Sequence, residues 1–108
     1  MGAGAAELLT LPVVFLPEAT EQIEAIGNYL AENASPDVAR RMTAKLVTRC
    51  YRIGGLPFGG TPRDELRSGL RSVPFDHNAT IFYRVTQTEV LISAVLYRGR
   101  DVTTYFDD

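Results

Sequence analysis

Ten arginines and one lysine are the only strong cations of this chain, and all eleven lie between residues 40 and 100. The densest run is Arg63-Asp64-Glu65-Leu66-Arg67-Ser68-Gly69-Leu70-Arg71, and Arg84, Arg98 and Arg100 follow within or just after β-branched runs. A guanidinium presents a planar fork that pairs with carboxylate or phosphate, so arginine in place of lysine suits recognition. The other reactive types form no constellation. His77 stands alone in a turn segment, where a solvated ring is the simple reading. Asp64 and Glu65 sit between Arg63 and Arg67 and read as local ion pairs, of little energetic value if exposed, rather than as an acid–base pair. Cys50 has no second cysteine to bond; it reads as a small buried apolar residue in a chain suited to a reducing cytoplasm. Gly54-Gly55 and Gly59-Gly60 lack the lysine and helix of a phosphate loop, and no metal-ligand spacing is present, so no cofactor is expected. The chemistry on offer is binding: a small sheet that shows positive charge to a partner.

The net charge of −2 conceals where that charge lies. Residues 1–39 carry six acidic side chains and no basic one, whereas residues 40–100 carry eleven basic against four acidic. A net-acidic chain makes a poor general nucleic-acid binder, so the local basic surface points to an acidic protein partner. At 108 residues one domain with one modest core is expected. No apolar run approaches the length of a membrane span, and the first ten residues lack the basic start of a secretory signal and read as a possible tail.

The elements that must position the arginines follow from pattern. Residues 12–16 read as a strand closed by Pro17, which then opens a helix at its first position. Ala19, Ile23, Ile26 and Leu30 give that helix an apolar stripe. Ser35-Pro36-Asp37 caps and starts a second helix, with the stripe Ala39, Met42, Leu46, Cys50 and Ile53, and Gly54-Gly55 is expected to end it. The short link makes the two helices an antiparallel hairpin. A Pro/Gly-rich loop over 56–62 follows, with Phe58 expected to tuck beneath it, then strands at about 70–75, 79–86 and 89–97 joined by tight turns. The order β-α-α-β-β-β predicts an α+β fold, an antiparallel sheet with the N-terminal helix hairpin on one face.

Strict alternation assigns Ile81, Tyr83 and Val85 to one face, and Phe82 and Arg84 to the other. In the last strand it groups Val90, Ile92, Ala94 and Leu96, leaving Leu91, Val95 and Tyr97 beside Phe82 on the face away from the helices. That second face is too apolar to remain wet. Tyr105-Phe106, or another chain, is expected to cover it.

Three segments together resemble a known family. Arg63 to Ser72 resembles the RDELRPGLRS motif of ParE toxins, in the RelE/ParE superfamily of type II toxin–antitoxin systems. Ile81-Phe82-Tyr83-Arg84-Val85 resembles its IFYRV strand. Leu96 to Asp101 is similar to its final L-H-G-R-D region, with Tyr97-Arg98 where histidine is usual, and Leu16-Pro17-Glu18-Ala19 resembles the L-S-P-A-A start of the first helix without its serine. The resemblance spans about residues 12–101 and is most specific over 63–84.

It implies a β-α-α-β-β-β toxin neutralised by a ParD-like antitoxin in a hetero-oligomer, with DNA gyrase as the target of ParE-type members. RelE-type relatives instead cleave messenger RNA on the ribosome, using cations of the central loops and strands with a C-terminal tyrosine or histidine. Residues 54–62 here contain no lysine or arginine, which favours the non-enzymatic reading; Arg98, Arg100 and Tyr105 keep the endonuclease as the alternative. Arg98, Arg100 and Tyr105 are therefore the candidate target-binding residues. Arg67, Arg71, Phe82, Arg84, Val95 and Tyr97 are the candidate antitoxin-binding residues, with local structural pairing as the competing reading of Arg67, Arg71 and Arg84.

Overall fold

The structure, a computed structural model, describes residues 10–98 and 102–106. Strand β1 (Val13–Phe15) leads into helices α1 (Pro17–Asn33) and α2 (Pro36–Ile53). Strands β2 (Thr61–Pro62), β3 (Arg71–Phe75), β4 (Ala79–Val85) and β5 (Val90–Tyr97) follow, and a short helix α3 (Val102–Phe106) comes last. The five strands form one sheet in the order β1-β5-β4-β3-β2. The meander β2 to β5 is antiparallel as expected; β1 runs parallel to β5, which makes the sheet mixed. Two elements escaped the pattern reading: β2, only two residues long with proline at the sheet edge, and α3.

The helices form where the capping residues direct. Ser35 Oγ accepts the Val38 N–H at 3.1 Å, and Pro36 occupies the first helical position. Pro17 does the same for α1, where Leu16 supplies no side-chain cap. Ala19, Ile23, Ile26 and Leu30 of α1 and Ala39, Leu46, Cys50 and Ile53 of α2 are all buried. They pack on Val73, Ile81, Tyr83, Val90, Ile92 and Val95 to make the main core. Burial pushes the Cys50 thiol up to about 12, so it behaves as an apolar filler. The end of α2 differs in mechanism from expectation. Gly54 has right-handed dihedrals (φ −58°), and its lack of a side chain matters because a Cβ would strike the Leu11 carbonyl. The chain entering β1 crosses there, with Leu11 N–H donating to Gly54 O at 2.9 Å.

One irregularity resets the sheet faces. Phe82 pairs with Ala94 but Tyr83 pairs with Ile92, leaving Ser93 without a partner on β4. This bulge inverts the alternation along β5. Val90 and Ile92 face the helices, and so do Val95 and Tyr97, whereas Ala94 and Leu96 turn to the other face beside Phe82. The expectation that Val95 and Tyr97 share the second face with Phe82 is thereby corrected. Val95 is buried in the main core, and Tyr97 packs against it with its ring edge-on to Tyr29.

Candidate functional site: the second sheet face and its surrounding loops

The second face carries Leu70, Phe82, Ala94 and Leu96, and Phe106 of α3 closes over them with Leu66, Val102 and Tyr105 at the margin. Phe106 stands edge-on to Phe82 at 4.9 Å between ring centroids. The expected clasp by Tyr105-Phe106 is thus present, and it leaves Phe82 with no exposed surface. Arg63 lies over the Phe82 ring at 5.7 Å and Arg67 over Phe106 at 5.3 Å. Each cation covers an aromatic face and is attracted by the ring quadrupole.

The run from Arg63 to Leu70 is shaped for that purpose. Arg63 N–H donates to Leu70 O at 2.7 Å, closing the loop on itself. Asp64 Oδ1 accepts the Gly69 N–H at 2.9 Å, and Gly69 holds φ +79°, which a side chain would oppose. Leu70 is thereby delivered into the second-face cluster at 1% exposure. Glu65 pairs with Arg63 at 2.7 Å, and this hydrogen bond holds its carboxyl below the usual range. The acidic pair of the sequence is therefore one loop clamp and one surface ion pair.

A second assembly holds the loop after α2. The buried Tyr83 hydroxyl donates to Pro57 O at 2.8 Å and accepts from Gly60 N–H at 3.0 Å. Its phenol is pushed up, chiefly by burial. Arg71 donates to Phe58 O at 3.1 Å and Gly60 O at 2.8 Å, with its guanidinium 5.2 Å from the Phe58 ring. Phe58 itself is 66% exposed and Leu56 71%. The expectation that Phe58 tucks under the loop is corrected: Pro57 is the buried residue, and its neighbours point outward. Sequence reasoning passed over Leu56 and Phe58 as site residues, because exposure of an apolar residue in a Pro/Gly loop has no signature in composition.

The third region is the end of β5. Tyr97 and Arg98 border an open groove of about 330 Å³ with Gln22, Ile26, Tyr29 and Val95. Arg98 is exposed, has φ +51° and donates to Tyr97 Oη at 3.3 Å. Gln22 spans from the sheet edge to α3: its Oε1 accepts Val95 N–H at 2.6 Å and its Nε2 donates to Tyr105 Oη at 2.9 Å. β1 pairs with β5 only as far as Ile92, so the glutamine amide stands where a longer strand would bond.

The candidate residues therefore separate. Arg67 and Phe82 belong to the second face, where Arg84 also lies, exposed and opposite Leu91. Arg71 anchors the loop on the helix side, Val95 is core, and Tyr97, Arg98 and Tyr105 gather near Gln22. Arg100 lies outside the described residues. Among the described residues no cluster of histidine, cysteine or carboxylate could hold a metal, and no helix is long and apolar enough to cross a membrane.

A helix hairpin on one face of a five-strand sheet, with the motif loop and a C-terminal helix over the opposite face, makes this a small two-faced α+β domain. The family described as "ParE toxin of type II toxin-antitoxin system, parDE" matches residues 13–102, and the chain belongs to that family. A solved structure titled "Chromosomal ParDE TA system from P. aeruginosa" shares the fold with a TM-score of 0.74. The two chains are 16% identical, over 82% of this chain and 97% of the other. No curated protein sequence matches this one significantly.

Proposed function

We propose that this chain is a cytoplasmic toxin held inactive by a cognate ParD-like antitoxin, and that it acts by binding DNA gyrase rather than by catalysis. The observation that carries the reading is the family match over residues 13–102 together with the contacts made by its motif residues. Arg63, Arg67 and Arg71 are engaged with aromatic rings and carbonyls of the chain itself, and the loop over 54–62 has no ionisable side chain. General acid–base cleavage of RNA needs titratable groups at the reacting atoms.

Antitoxin capture has support in surface chemistry. Arg84 and Arg98 are exposed beside apolar surface, at Leu91 and at the Tyr29–Tyr97 groove respectively. An acidic, apolar segment matches such surfaces by charge and burial. The test is supercoiling by purified gyrase with increasing amounts of this protein. Inhibition that the product of the adjacent reading frame relieves is expected; undiminished supercoiling at excess protein overturns the gyrase target.

A further inference from the structure

The loop over residues 56–60 joins rigid support to exposed apolar surface. Its backbone is held from within by Leu56 N–H to Ile53 O at 3.0 Å and Gly59 N–H to Leu56 O at 3.0 Å. From beneath it is held by the Tyr83 hydroxyl and the Arg71 guanidinium, which together make four hydrogen bonds to Pro57, Phe58 and Gly60. Gly60 is sterically required, because a Cβ there would strike the Tyr83 hydroxyl and crowd the Ser72 carbonyl; one at Gly59 would meet the exposed Leu56 side chain, which can turn aside. Ordering backbone residues costs conformational entropy, and Leu56 and Phe58 offset little of it because they stay in water. The order is imposed by the buried Tyr83 hydroxyl and the half-buried Arg71, whose effect is to hold two apolar side chains outward.

We propose that Leu56 and Phe58 form a preformed docking prong that inserts into an apolar, carboxylate-rimmed pocket of the toxin's target protein. Pre-ordering lowers the entropic cost of association, and an aromatic beside an aliphatic anchor is the composition that dominates protein interfaces when buried. Arg71 behind the Phe58 ring gives the prong a positive base, which suits acidic groups around the pocket. A protein pocket fits better than a nucleic-acid base. Bases stack on open aromatic faces, whereas the one ring of this prong is already faced by Arg71 and Leu56 offers no face at all.

The inference rests on the toxin reading above and specifies where the target is touched. Its test pairs growth arrest on induction without antitoxin with antitoxin affinity in vitro, for Phe58→Ala and Leu56→Ser. Both positions are exposed, so the fold should persist, as far-ultraviolet circular dichroism would verify. Each substitution should weaken target inhibition about tenfold or more and restore growth, with antitoxin affinity unchanged within about twofold. Tyr83→Phe, which keeps the prong but loosens its base, should give an intermediate loss. Variants that arrest growth as the parent does overturn the prong while leaving the toxin reading intact. Equal loss of antitoxin affinity reassigns the loop to the antitoxin and also overturns it, as does a Phe58-dependent affinity for a single-stranded RNA oligomer. A parent chain that arrests nothing removes both readings.

Discussion

The two faces of the sheet are covered by different means. Toward the helices, α1 and α2 lay two full apolar stripes over the sheet, and Ile81, Tyr83, Val90 and Ile92 are wholly buried beneath them. On the other face five residues of α3 and the 63–70 loop do the same work, with Phe106 as the main seal and arginines over the ring faces. The first cover is formed by long elements joined to the sheet through a short hairpin, and it supplies stability. The second is a small patch at the end of the described chain. Local opening costs less where fewer apolar contacts must be broken, so this face is expected to open before the helix side does.

The largest effect that would test this contrast comes from the helix side. Leu46→Ala should lower unfolding free energy by about 3 kcal/mol, read from denaturant midpoints, because Leu46 is 2% exposed within the main core. Phe106→Ala should cost about 2 kcal/mol, the scale of losing the burial of one aromatic side chain, and should raise binding of an apolar dye while α1 and α2 keep their exchange protection. A loss as large as that of Leu46→Ala, with both faces unfolding together, would erase the distinction between the covers.

Tyr83→Phe should cost about 1–2 kcal/mol, since it leaves Pro57 O and Gly60 N–H without the buried hydroxyl. The same group yields a pH prediction. Burial raises its pKa in the folded state, so its contribution is complete below the ordinary tyrosine value of 10.0 and is lost as pH rises through the folded value. Alkaline titration should show a phenol ionising above that range, absent in Tyr83→Phe, with loosening of the 56–60 loop as it ionises. The smallest effect belongs to Gln22→Leu, about 1 kcal/mol. Faster amide exchange at Val95 and easier proteolysis near Tyr105 would mark the loss of the link between the edge of β5 and α3.

Much of the molecule was legible in the residues. Pro17, Ser35 and Pro36 announced the helix starts, and the 3–4 spacing of Ile23, Ile26 and Leu30 named the buried stripe, because caps and periodicity act over a few residues. The excess of apolar residues on the second face announced that it is covered, and Tyr105-Phe106 is part of the cover. What the arginines do was less legible. Arg71 looks like a surface cation in sequence, and its hydrogen-bond partners lie 11 and 13 positions away, on carbonyls that only folding brings near.

The sequence by itself determined the order of the main strands and helices, the helix starts, the motif loop and the existence of a second apolar face, all consequences of local stereochemistry and hydrophobic pattern. Only the tertiary structure decided which residues form that face. Along β4 strict alternation holds, and Phe82 and Arg84 lie where it places them. Along β5 the unpaired Ser93 shifts the parity by one residue, sending Val95 into the core and Ala94 and Leu96 to Phe82. A bulge is a property of two paired strands, and a single residue of slip exchanges the faces of everything beyond it.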